Sequence, residues 1–176
     1  MIFNVAQLLK SPPGAARSYQ IREPFKVDLG PEARAVGEIQ GQIKLLRTVD
    51  GVLLTGSLSL PVELPCCRCL EPFSIEVQVA PEEEFKPGAD LSTGQPLPSA
   101  TEEPELLIDE QHLLDPAELI RQLILVNLPM RPVCRPQCQG LCPLCGKPLN
   151  EGPCACEVER LDPRLAVLKQ LLSEKE

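Results

Sequence analysis

Apolar and polar residues alternate along two neighbouring stretches of the chain, residues 39–45 and residues 54–64. Side chains of a strand point alternately to its two faces, so each stretch predicts a strand with one buried face and one exposed face. Asp50 and Gly51 lie between the two stretches, and an Asp-Gly pair at such a position is typical of a hairpin turn. A third alternating stretch, residues 73–79, extends the predicted antiparallel meander.

Two Asp-Pro pairs mark the starts of predicted helices. In the first helix we expect Asp115 to be the N-cap, Pro116 the first helical residue and Glu118 the reciprocal member of a capping box. This helix should end before Pro129. The second helix begins at Asp162, and its leucines recur at helical spacing.

The predicted fold class is therefore α+β: an antiparallel β-meander or partial barrel with two capped helices and a cysteine-rich metal-binding loop. Residues 86–104 have no hydrophobic period and are rich in Pro, Gly, Ser and Thr, which favours an acidic linker. We accordingly divide the chain into an antiparallel β region at 1–85, the linker at 86–104, and a segment at 105–176 that holds both helices and the cysteine loop.

The negative charge of the chain is concentrated in one segment. Residues 80–118 contain eleven carboxylates and one lysine, a net charge of −10, whereas the whole chain carries −8. The rest of the protein is therefore slightly basic. An acidic segment of this kind repels naked RNA but attracts a basic protein tail, so we expect a basic protein as the partner more than RNA itself.

The compartment follows from the start of the chain and from its cysteines. The N-terminal stretch lacks the basic and apolar regions of an export signal, and no apolar run is long enough to cross a membrane. Disulfide frameworks belong to oxidising compartments, and the chain has an odd number of cysteines, nine. We therefore expect a cytoplasmic protein with reduced thiols and no membrane association.

Six of the nine cysteines fall between the two predicted helices, at residues 134–156, where no hydrophobic period exists. Thiolates are strong zinc ligands, and the sequence Cys142-Pro-Leu-Cys145-Gly is typical of a zinc-binding turn. The compact spacing favours Cys134, Cys138, Cys142 and Cys145 as a structural zinc tetrad. Cys154 and Cys156 are the alternates, and Cys66 with Cys69 would join only if the strand connection folds against the loop.

Three other kinds of cysteine site fit the pattern less well. A thioredoxin-like centre places its Cys-x-x-Cys at a helix N-terminus, and no helix is predicted directly after Cys145. A catalytic zinc site usually has histidine or carboxylate ligands, but the chain has one histidine, His112, outside the cysteine loop. An iron–sulfur cluster also takes four thiolates and remains open as the less favoured cofactor. These obstacles favour a structural metal site over a redox centre or a catalytic zinc site.

Three motifs together resemble the YceD-like family of bacterial and plastid large ribosomal RNA subunit accumulation proteins. They are "CCRCLEPF" at Cys66, "CRPQCQGLCPLCGKPLN" at Cys134, and "LDPRLAVLKQL" at Leu161. The resemblance implies a role in 23S rRNA accumulation and ribosome biogenesis, with no enzymatic activity and no small-molecule substrate. It also implies that the basic partner is a ribosomal protein or a pre-ribosomal particle, through which rRNA would be reached indirectly. Enterobacterial members look as though they keep Cys-x-Arg-Cys but lack the dense cysteine loop. This difference implies a structural zinc here and makes Cys66, Arg68 and Cys69 the candidate functional motif.

Two further functions stay open at the level of sequence. One is a thiol-based redox or metal-sensing protein, which would need reactive, metal-free thiols. The other is a zinc module that joins a transcription complex.

Overall fold

The computed structural model describes residues 1–88 and 104–156. In these residues the chain forms nine strands and two α-helices, with short 3-10 turns at Pro104–Leu106 and Leu149–Glu151. The elements in chain order are β1 (Phe3–Asn4), α1 (Ala6–Leu9), β2 (Ala16–Pro24), β3 (Arg34–Ala35), β4 (Glu38–Arg47), β5 (Val52–Pro65), β6 (Pro72–Val79), β7 (Glu82–Pro87), β8 (Leu107–Ile108), β9 (Leu113–Leu114) and α2 (Ala117–Asn127).

The sheet is built around β5, which spans fourteen residues. One edge of β5 pairs with β4 and, further along, with the short β3; the other edge pairs with β7 near its start and with β6 near its end. All of these pairings are antiparallel, while β7 and β8 pair in parallel. The sheet is open and does not close into a barrel, so the predicted class of mostly antiparallel sheet with helices is confirmed.

The predicted hairpin is present, but its glycine is required by a close contact and not by a positive φ. Arg47 pairs with Val52 across the turn, and the Thr48 hydroxyl accepts a hydrogen bond of 2.9 Å from the Gly51 N–H. Gly51 does not have a positive φ. A Cβ at this position would lie 2.2 Å from the Phe85 carbonyl oxygen, so glycine is required because β7 passes so close.

The predicted first helix corresponds to α2. An Asp115 side-chain oxygen accepts a hydrogen bond of 3.0 Å from the Ala117 N–H, and the chain becomes extended at Leu128, before Pro129. The predicted start is shifted by one residue, because Pro116 is the N-cap and α2 begins at Ala117. The capping box was also wrong: Glu118 forms two hydrogen bonds with the Arg121 guanidinium, 2.7 and 2.9 Å long. A charge-assisted pair one turn along the helix therefore takes the place of a contact with the cap backbone. The predicted second helix lies outside the described residues.

One hydrophobic core joins parts of the chain on both sides of the undescribed segment. It contains the inward-facing residues of β4 and β5, Phe85 of β7, and Ile120 and Ile124 of α2, all essentially inaccessible to solvent. The division into three segments stays a prediction, but α2 packs against β6 and so belongs to the same core as the sheet. None of the helices in the described parts of the chain has the length and apolar character needed to cross a membrane.

Two substitutions in α2 test this packing. Ile124→Ala should lower the free energy of unfolding by about 2–5 kcal/mol, because it leaves a cavity between the helix and the sheet. Val126→Ala, two residues away and 82% exposed, should change it by less than about 0.5 kcal/mol. Denaturant unfolding of both variants with metal present checks the prediction, and equal effects would contradict the packing of α2.

Candidate metal centres

The nine cysteines lie in one region at the end of β5 and after α2. Eight of them form two groups in which all four sulfur atoms lie within 4.8 Å of one another. We call Cys66, Cys69, Cys134 and Cys138 the first tetrad, and Cys142, Cys145, Cys154 and Cys156 the second tetrad. The ninth, Cys67, belongs to neither group. Its side chain is exposed, so it is not a buried packing residue either.

The four favoured zinc ligands are divided between these groups. Cys134 and Cys138 lie with Cys66 and Cys69, whereas Cys142 and Cys145 lie with Cys154 and Cys156. The structure therefore does not bring the predicted ligands together as one tetrad, and it brings in both pairs that were held as alternates. Gly140, which has a φ of +74°, lies between Cys138 of the first tetrad and Cys142 of the second.

The first tetrad joins two distant segments of the chain. Cys66 and Cys69 occupy the turn between β5 and β6, which is closed by a 2.9 Å hydrogen bond from the Cys66 N–H to the Glu71 carbonyl. Cys134 and Cys138 follow α2. The two segments also meet through their backbones, because the Cys67 N–H donates to the Pro132 carbonyl at 2.7 Å.

Two sulfur separations in the first tetrad match those around a single tetrahedral ion. The Cys66 and Cys138 sulfurs are 3.8 Å apart, and the Cys69 and Cys134 sulfurs are 3.7 Å apart. A tetrahedron with Zn–S bonds of about 2.3 Å has sulfurs about 3.8 Å apart. A disulfide would require about 2.05 Å. The group could therefore hold a metal ion.

Arg68, at the centre of the Cys-x-Arg-Cys motif, connects the two segments of the first tetrad. Its Nη1 donates to the Cys138 carbonyl at 2.9 Å and lies 3.5 Å from the Pro136 carbonyl. The carbonyl of Arg68 in turn faces Gly140, where a Cβ would lie 3.1 Å away. These contacts orient the Cys134–Cys138 loop, although the side chain as a whole is exposed.

Ionisation differs sharply among the thiols of the first tetrad. Burial opposes ionisation of Cys66, but backbone N–H groups, chiefly that of Cys69, outweigh it and lower the pKa of Cys66 to about 6. Burial and then the neighbouring thiols raise the pKa of Cys134 to about 12. The Asn150 side-chain amide, whose nitrogen lies 3.4 Å from the Cys138 sulfur, lowers the pKa of Cys138. Four adjacent thiolates need a cation between them to ionise together.

The second tetrad lies within one short loop. The Gly146 N–H donates to the Cys142 carbonyl and the Cys142 N–H to the Lys147 carbonyl, each at 2.9 Å, so the Cys-x-x-Cys-Gly turn forms as the sequence suggested. The Cys142 and Cys154 sulfurs are 3.3 Å apart. Backbone N–H groups of Cys145 and Leu144 lower the pKa of Cys142 to about 6, whereas Cys145 and burial raise that of Cys156 to about 12. This group could also hold a metal ion.

Asn150 is a residue of the site that sequence reasoning missed. Its side-chain oxygen accepts a 2.9 Å hydrogen bond from the Gln139 N–H, while its nitrogen donates to the Cys138 sulfur. It stands in the loop of the second tetrad but supports a ligand of the first. An asparagine in a loop carries no sequence signal for such a role.

Comparison with known proteins places the chain in a family. A family model described as large ribosomal RNA subunit accumulation protein YceD matches residues 54–172. Uncharacterized proteins of Mycobacterium bovis and Mycobacterium tuberculosis are each 41% identical over 125 residues, which cover 70% of this chain and 56% of theirs. An uncharacterized protein of Mycobacterium leprae is 26% identical over 176 residues, 98% of this chain and 78% of its own length.

The chain thus spans little more than half the length of the first two relatives. No solved structure matches it. The family model, however, covers both tetrads and α2, and it confirms the resemblance that the three motifs indicated. The chain belongs to the YceD family of large ribosomal RNA subunit accumulation proteins.

Proposed function

We propose that this protein is a non-enzymatic factor in 23S rRNA accumulation and ribosome biogenesis, that it acts in the cytoplasm, and that zinc orders its cysteine region. The observation that carries the proposal is the family match over residues 54–172. The mycobacterial relatives are uncharacterized and longer than this chain, so the role comes to it from the family alone.

A structural role for the metal is supported by the donor sets. Each tetrad offers four thiolates, which fill the coordination sphere of a zinc ion. Catalytic zinc sites instead keep one position open for water or substrate. In both tetrads the four sulfurs lie within 4.8 Å of one another, so an ion bound by all four would have no coordination position left for chemistry.

The sulfur separations in the first tetrad favour zinc over an iron–sulfur cluster. Separations of 3.7 and 3.8 Å suit four ligands on one ion. A cluster places several iron and sulfide atoms between the cysteine sulfurs and therefore needs a wider cage.

The acidic segment supports a protein partner. Glu82 and Glu83 in β7 are both exposed, and they begin the part of the chain that carries the excess of carboxylates. Glu84 has a structural contact instead, because its carboxylate accepts a hydrogen bond from the Thr48 hydroxyl at 2.5 Å. A basic ribosomal protein, on its own or in a pre-ribosomal particle, would be attracted to the exposed carboxylates, and rRNA would be reached indirectly.

Removing the gene should lower mature 23S rRNA relative to 16S rRNA, because large-subunit assembly would lose one of its factors. Quantifying both RNAs in wild-type, deletion and complemented cells checks this expectation. An unchanged ratio after deletion would remove the assembly role, whatever the metal content of the protein.

Neutralising Glu82 and Glu83 together to glutamine should weaken capture of the ribosomal partner about fivefold at low salt, because each exposed ion pair contributes about 0.5 kcal/mol. The loss should shrink as salt is added. A matched control is the double variant Glu32→Gln and Glu76→Gln, which makes the same charge change at exposed positions outside the segment. Equal losses in both double variants, in pull-downs at low and high salt, would contradict a specific acidic contact.

The purified protein should contain zinc and be colourless. Elemental analysis and the visible absorption spectrum measure this directly, since iron–thiolate centres absorb visible light and zinc does not. Iron in the protein, or reactive thiols without metal, would favour a cluster protein or a redox protein instead.

A further inference from the structure

We propose that the chain holds two independent zinc centres, one in each tetrad, and that the first acts as a long-range cross-link of the fold while the second orders only its own loop. The proposal rests on zinc being the metal, as argued under the proposed function. It assigns Cys66 and Cys69 a definite role as ligands and leaves Cys67 as a free thiol.

The cross-link follows from where the first tetrad takes its ligands. Cys69 and Cys134 are separated by 65 positions in the sequence, and their sulfurs are 3.7 Å apart. An ion bound here would tie the β5–β6 turn to the segment after α2. This cross-link closes a loop of the chain that contains β6, β7 and α2, so the first centre would restrain these three elements relative to the end of β5.

The first tetrad is also continuous with the hydrophobic core. Cys66 is fully buried, and Cys69 and Cys138 are nearly so. Phe73 packs against these cysteines on one side and against the main core on the other. Loss of an ion from this position would leave four buried or half-buried thiols without their common partner, next to the core.

The second tetrad has a different relation to the fold. Its candidate ligands all lie within residues 142–156. A backbone bridge between Leu141 and Pro148 pairs two parts of the same loop with each other. Cys145 is exposed, and Cys154 and Cys156 are half-buried. An ion bound here organises the loop but closes no large part of the chain.

The two tetrads meet through hydrogen bonds, not through a shared ligand. Asn150, in the loop of the second tetrad, donates to the Cys138 sulfur and accepts from the Gln139 backbone. No cysteine belongs to both groups in the described chain. Each tetrad can therefore be filled while the other is empty.

Metal stoichiometry and thermal stability of the protein and three variants test the proposal. The wild type should carry two zinc ions per chain, and the Cys67→Ser control should also carry two. The double variants Cys69→Ser with Cys134→Ser and Cys145→Ser with Cys154→Ser should each carry one. The first double variant should melt at a clearly lower temperature than the second, as followed by the circular dichroism of the sheet.

A second measurement applies if the first double variant does not fold. Native mass spectrometry of the wild type should give the mass of two zinc ions, and cadmium NMR of the exchanged protein should give two all-sulfur resonances. Alkylation of the zinc-loaded wild type should modify Cys67 and protect the other eight cysteines.

A single zinc lost equally from Cys138→Ser and Cys142→Ser would overturn the proposal, because it would mean one site with mixed ligands. Two ions with equal melting temperatures in the two double variants would overturn the cross-link. These experiments use purified protein, so their failure and a failure of the rRNA measurement are separate results.

Discussion

The alternation of side chains along β5 is the constraint on which both the core and the first tetrad depend. Its buried residues occupy even-numbered positions from Val52 to Leu64. Cys66, directly after the strand, is the next even position and is also fully buried. The strand pleat that turns the leucines and valines inward thus brings a thiol to the end of the same row. A shift of one residue in register would expose the core residues and remove Cys66 from the other ligands together.

The cysteine region depends on a second physical fact, which is that neighbouring thiolates repel one another. Cys66 ionises readily because backbone N–H groups face its sulfur, while the pKa of Cys134 in the same tetrad is raised to about 12. A divalent cation changes this balance, since it interacts favourably with all four thiolates at once. A metal ion bound at either tetrad would therefore also order the loop that supplies its cysteines. Without a metal ion, the described residues after α2 would have only the small cluster of buried side chains beside the first tetrad to stabilise them.

Local patterns in the sequence predicted much of the fold. The three alternating stretches became β4, β5 and β6, and Asp115 does contact the start of α2. The strand β2 was not predicted, because its apolar residues Tyr19 and Ile21 are only half-buried and too few to establish a period. The strand β7 was not predicted as a separate element, because Glu82 and Glu83 at its start interrupt any apolar pattern; an exposed strand accommodates their side chains without burying them.

The grouping of the cysteines could not be predicted in the same way. Spacing describes which sulfurs a short loop can bring together, and it correctly indicated the Cys142–Cys145 turn. It carries no information about which turn lies beside a strand connection 65 residues earlier. That proximity depends on α2 packing against β6, which returns the chain to the end of β5.

Arg68 holds the Cys134–Cys138 loop against the β5–β6 turn. Its guanidinium donates to the Cys138 carbonyl of that loop, and its backbone nitrogen lies 3.5 Å from the Cys66 sulfur. The Cys-x-Arg-Cys motif therefore combines two candidate metal ligands with the residue that positions the Cys134–Cys138 loop beside them.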